Sequence, residues 1–131
     1  MILFINTSDF NNLSLAVVSE ATVKLHTASV AFNENYKTNA ILEKFLNHQK
    51  IKTSDLTKVI VCSGPGSFTG IRVGVSLAQA LGFALKIPVV VIPSSKIPKD
   101  IRKLHLVKNP KFLAINYGQK PNITVSKKKV K

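Results

Sequence analysis

Over roughly the first ninety residues, hydrophobic and polar positions follow two different periods, and the changes between them mark out the elements. "ILFIN" (2 to 6), "LSLAVV" (13 to 18) and "TVKLHTA" (22 to 28) are β-prone runs separated by the turn chemistry of "SDFNN" and "SEA". Three such runs with short connections predict an antiparallel meander. From Asn35 to Gln49 the period lengthens, with Tyr36, Ala40, Leu42, Phe45 and Leu46 recurring at three- and four-residue steps. That spacing predicts a helix, with Asn33 or Asn35 available to cap it. "KVIVC" (58 to 62) returns to a short strand, a second helix runs from about Gly70 to Leu85, and "PVVVI" (88 to 92) is an apolar strand. The predicted order is βββαβαβ, an α/β arrangement.

The second helix carries an unusual stripe. Gly70, Gly74, Ala78 and Gly82 recur every four residues, so at about 100° per residue they line one side with almost no side chain. An interior glycine costs about 1 kcal/mol relative to alanine. Gly74 and Gly82 therefore predict a compensating close approach along that side. The expected neighbour is another helix or a stretch of backbone: the helix from Asn35, a helix of a second chain, or both helices. On this reading Tyr36, Ala40, Gly70, Gly74, Ala78 and Gly82 form a candidate partner interface, and Ile71 and Val75 hold the helix to its own sheet.

The loop before that helix, Gly64, Pro65, Gly66, Ser67, Phe68, Thr69 and Gly70, has two readings. A strand, a glycine-rich turn and a helix N-terminus bring N–H groups and a positive dipole end together, which suits an anion. Alternatively Pro65-Gly66 makes a tight turn and Ser67 or Thr69 caps the helix. Nucleotide fingerprints fit poorly. Ile71 and Arg72 stand where a Walker loop has its Lys and Ser/Thr, and the spacing G-x-G-x-x-x-G departs from the dinucleotide pattern. The following strand also ends in "IPSS", without an acidic residue for a ribose.

Composition narrows the classes further. A chain of 131 residues with 45% hydrophobic side chains is one domain, or one domain and a fragment, with enough length for a core. "MILFINTS" lacks the basic start of a secretory signal, and the uncharged run Val73 to Leu85 is short for a bilayer, so a soluble cytoplasmic protein is expected. The lone Cys62 ends an apolar run and reads as a small buried residue. His26, His48 and His105 are scattered, so neither a metal nor a catalytic set is expected, and no cofactor. The net charge of +13 is concentrated at one end: residues 96–131 hold eleven basic side chains against Asp100 alone. Such a field attracts polyanions, making Lys127, Lys128 and Lys129 candidate RNA contacts. The same lysine-rich, asparagine-rich composition is also what an AT-rich genome produces.

"INTSDFNNLSL" (5 to 15) and "INYGQKPNITV" (115 to 125) align without a gap, so a strand, turn and strand recur directly after the complete βββαβαβ unit. This organisation resembles the two-lobed ribonuclease-H-like folds of the actin and sugar-kinase class. Residues 1–95 then form a first lobe, and residues 96–131 a basic linker with the hairpin of a truncated second lobe. "GPGSFTGIRVGVSLAQALGFAL" and the "INTS" opening strand resemble the TsaB (YeaZ) family, which shares a "GPGSFTG-x-R-x-G" signature and an "I-D-T" opening strand. "FLAINY" is similar to the start of that family's second lobe. The resemblance implies a non-catalytic partner of the transferase TsaD, acting with the ATPase TsaE in making threonylcarbamoyladenosine in tRNA. It also implies a dimer surface on the two helices of the first lobe, used with a second copy or with TsaD. Asn6 departs from the family pattern, standing where an Asp is usual, and an amide supplies neither a base nor a negative metal ligand.

Overall fold

The computed structural model describes residues 1–20, 22–29 and 37–106. The first three apolar runs form β1 (Ile2–Asn6), β2 (Asn12–Val18) and β3 (Val23–Ser29), an antiparallel meander with Ile2 opposite Val18 and Val17 opposite Lys24. β4 (Lys58–Cys62) and β5 (Val89–Ile92) extend the sheet in parallel from the other side of β1. The five strands lie in the order β3-β2-β1-β4-β5. Two helices complete the predicted order, α1 (Thr38–His48) before β4 and α2 (Phe68–Leu85) between β4 and β5.

Alternation along the strands builds two cores. Leu3, Ile5, Leu15, Val17, Val59, Val61 and Val89 face the helices and meet Leu42, Phe45, Leu46 and Ala78 there. Ile2, Phe4, Ala16, Val18, Ile60, Val90 and Ile92 face the opposite side, where Leu104 is fully buried among them. The central strands are thus buried on both faces, which explains why β4 and β5 read as unbroken apolar runs.

The ends of the helices follow local chemistry. α2 begins at Phe68, slightly before the predicted start, because the Ser67 hydroxyl accepts from the Gly70 N–H at 3.1 Å. It ends at Lys86, whose left-handed backbone (φ 57°) lets the Ile87 N–H reach the Gly82 carbonyl at 3.1 Å. α1 is described from Thr38 onward; Asn33, Asn35 and Tyr36, named above as caps and interface, lie outside the described residues.

The stretch after β5 differs from the expected linker. Its short 3-10 turns, Ser94–Lys96 and Ile101–Leu106, lie against the sheet, with Ile97, Ile101 and Leu104 on the second core. Apolar residues at three- and four-residue steps within a basic segment made that packing possible. Asp100 accepts from the Arg102 backbone N–H at 3.0 Å and from its guanidinium at 2.9 Å. The Arg102 side-chain hydrogen bonds hold the half-buried Asp100 carboxyl below the ordinary carboxylate range. The hairpin at 115–125 and the lysines Lys127, Lys128 and Lys129 lie outside the described residues.

Candidate functional site

The carboxyl ends of β1 and β4 meet the glycine loop in a small polar cluster. Asn6 ends β1 and its Oδ1 accepts from the Ser8 N–H at 3.0 Å and the Ser8 hydroxyl at 2.6 Å. Cys62 ends β4, fully buried, with its Sγ 3.4 Å from the Ser94 hydroxyl and accepting from the Gly64 N–H at 3.4 Å. The Thr7 hydroxyl donates to the Gly70 carbonyl, joining β1 to the first turn of α2. Thr7, Ser8 and Ser94 were not singled out by sequence reasoning. Their signal was the run of small hydroxyl residues directly after two strands.

The loop bends at Pro65-Gly66 and caps α2 at Ser67. Ser67 provides the cap, and its N–H donates to the Ser8 carbonyl at 2.7 Å. The Gly64 N–H is committed to Cys62 and the Gly70 N–H to Ser67. Gly66 lies so close to Ser8 that a Cβ would overlap the Ser8 carbonyl. Gly64 (φ 95°) has the left-handed backbone that favours glycine. Pro65, Gly66, Phe68 and Thr69 are exposed around this buried frame. The loop fastens α2 to the end of β1.

The glycine stripe is overturned as a partner surface. Gly70, Gly74, Ala78 and Gly82 are the buried residues of α2, and what they approach is the chain's own sheet. A Cβ on Gly70 would strike the Thr7 carbonyl, one on Gly74 the Thr7 hydroxyl, and one on Gly82 the Val89 side chain. Close approach was the correct inference from the spacing, and of the expected neighbours it is backbone and side chains at Thr7, just past β1, and Val89 of β5, not a helix, that the stripe meets. Val75 packs at the margin of this core as expected, while Ile71 sits against Gly64 in the loop.

What this orientation leaves outside is the more informative feature. Small residues face inward, Val75, Leu77, Leu81 and Leu85 pack at the margin, and the two phenylalanines face outward: Phe68 is 72% exposed and Phe83 89%. The Arg72 guanidinium lies 5.4 Å from the Phe68 ring centre, a cation–π contact on the same face. Between them and α1, a groove of about 560 Å³ is lined by Asn39, Phe68, Arg72, Val73, Leu77 and Ala80. Ala40 is exposed on α1, near Asn39 in sequence. With 18 residues and a mean hydropathy of 1.4, α2 is long and apolar enough by length and composition to cross a membrane, longer than the uncharged run considered above. In this fold it lies along the sheet.

Asn6 carries an amide whose oxygen is taken by Ser8. Among the described residues, no group of three or more His, Cys, Asp or Glu side chains could hold a metal ion.

Comparison with known proteins agrees with the fold. The family described as TsaD, tRNA N6-adenosine threonylcarbamoyltransferase, matches residues 26–129. A Bacillus subtilis (strain 168) protein named tRNA threonylcarbamoyladenosine biosynthesis protein TsaB is 35% identical over 94 residues, covering 71% of this chain and 41% of the relative. A protein of the same name from Buchnera aphidicola subsp. Schizaphis graminum (strain Sg) is 34% identical over 97 residues, covering 74% of this chain and 46% of the relative. Among solved structures, YeaZ from Pseudomonas aeruginosa superposes with a TM-score of 0.64 at 25% identity, covering 70% of this chain and 43% of that one. The chain spans less than half the length of these relatives.

Proposed function

The chain belongs to the TsaD family, and from its likeness to the proteins named TsaB we propose that it serves tRNA threonylcarbamoyladenosine biosynthesis as a non-catalytic partner of a TsaD-like transferase. The observation that carries this reading is the inverted α2, which buries glycine and alanine and presents Phe68 and Phe83 to solvent. Large exposed apolar side chains on one helix face are the mark of an interaction surface. The groove shared with Asn39 extends that surface to α1. The partner interface proposed here is therefore Phe68, Arg72, Val73, Leu77, Ala80 and Phe83, with Ala40 beside it.

Asn6 supports the non-catalytic half of the proposal, because its amide cannot take up a proton at the end of β1. A TsaE-like ATPase and tRNA complete the proposed assembly, which works in the cytoplasm. A second copy of the chain is the alternative occupant of the same helix face. Copurification with a TsaD-like transferase tests the reading. The wild-type chain is expected to elute with the transferase, and Phe83→Glu to elute alone with an unchanged thermal melt. A wild-type chain that binds neither the transferase nor itself overturns it.

A further inference from the structure

A second groove lies on the other side of α1, away from the proposed partner face. Among the described residues β3 is the edge strand of the sheet, and α1 packs on the same side of the sheet. Between them is a space of about 770 Å³, lined among others by His26, Ile41, Lys44, Phe45, Asn47 and His48. That volume falls within the usual range for small-molecule sites. Nothing in the partner role uses it.

The lining has a definite chemistry. His26, on the face of β3 that points toward the helices, stacks on Phe45 with ring centres 5.7 Å apart and planes 19° from parallel. Phe45 is buried below, and His26 is exposed above it. A buried ring that supports an exposed planar ring makes a stacking platform. Asn47 offers amide donors and an acceptor, and Lys44 and His48 offer cationic or hydrogen-bonding ends; among the described residues, no carboxylate lines the groove. At the end of α1 the carbonyls of Phe45, Leu46 and Asn47 accept from the Gln49, Ile51 and Lys50 N–H groups.

We propose that this groove binds a nucleobase carrying a phosphate, the base stacked on His26 and the phosphate held by Lys44 and His48. Stacking supplies affinity that tolerates any base, the Asn47 amide meets the base edge, and the lysine answers the charge. The ligand is either a free nucleotide or an unstacked nucleotide of an RNA strand, which share this chemistry. The strongly basic chain raises the local concentration of both.

Titration of the labelled full-length protein, followed by the ring resonances of His26 and Phe45, tests the site. The probes are adenosine 5′-monophosphate, a short single-stranded oligoribonucleotide and inorganic phosphate. Saturable ring-current shifts at His26 and Phe45 are expected with a nucleotide probe and not with phosphate. Saturation by the monophosphate assigns a free nucleotide, and saturation by the oligonucleotide alone assigns RNA. His26→Ala is expected to weaken binding about tenfold, Lys44→Gln to weaken it and reduce its salt dependence, and His26→Phe to retain it. Since His26 and Lys44 are exposed, these variants keep the fold, which the unchanged shifts of β1 and β4 amides verify. No shift with either nucleotide probe, equal binding by His26→Ala, or a full response to phosphate overturns the proposal. None of these outcomes depends on whether the α2 face binds a transferase.

Discussion

Gly66 and Gly74 are both glycines for lack of room, yet their neighbours differ in how far they can yield. At Gly74 the obstacle is the Thr7 hydroxyl, which can rotate at the loss of its hydrogen bond to the Gly70 carbonyl. The helix would gain about 1 kcal/mol from alanine, while overpacking costs typically about 1–3 kcal/mol. Gly74→Ala is therefore expected to lower stability mildly, by about 1 kcal/mol. At Gly66 the obstacle is the Ser8 carbonyl, a backbone atom whose neighbour Ser67 is bonded to it. Gly66→Ala offers no helical gain and is expected to cost about 3 kcal/mol or more. Thermal melts of the two variants check the order, and a larger loss at Gly74 would contradict it. The bare stripe was legible in the sequence because glycine in a helix interior needs a reason. The identity of the obstacle was not, since Thr7, just past the end of β1, is far away in sequence.

α2 taken as an element shows why its faces could be confused. A period of four in small residues signals close approach but leaves open whether a helix or the sheet side makes it, and here Thr7 follows β1 and Val89 lies on β5. The complementary signal was Phe68, Val73, Leu77 and Phe83 on the other sides of the same helix. The strands were legible nearly to the residue, because alternation and turn chemistry agree along β1 to β4. Two substitutions separate the faces of α2. Ala78→Arg places an unpaired cation in a fully buried position, at a cost of several kcal/mol against a total stability of about 5–15 kcal/mol. It is expected to unfold the chain rather than free a folded monomer. Ala80→Arg, on the exposed side, is expected to leave the melt within about 0.5 kcal/mol of wild type and to abolish association. Circular dichroism with sedimentation reads both, and a folded Ala78→Arg protein would refute the inward orientation of the stripe.

At the scale of the whole molecule, charge and core pull the basic end of the chain in different directions. Residues 96–131 carry most of the net charge and read as a linker, yet Ile97, Ile101 and Leu104 belong to the core on the far side of the sheet. The lysines around them hid that packing, since a few apolar side chains in a basic stretch look like noise until the strand face they cover is known. If Lys127, Lys128 and Lys129 contact tRNA, changing all three to Gln should make the slope of log affinity against log salt shallower by about 2–3, since each phosphate no longer neutralised removes about 0.7–0.9. An unchanged slope leaves the lysines as genomic composition. The packed segment gives a sharper test. Leu104 is 0% exposed among Ile2, Phe4, Ile60 and Val90, so Leu104→Ala should cost about 2–5 kcal/mol, the loss seen for large-to-small changes in a core. Lys103→Ala, next to it and exposed, should cost less than about 0.5 kcal/mol. Chemical denaturation distinguishes the two. A linker would make both substitutions equally mild, whereas a lobe that extends through residue 106 requires Leu104 for its second core and makes Lys103 dispensable.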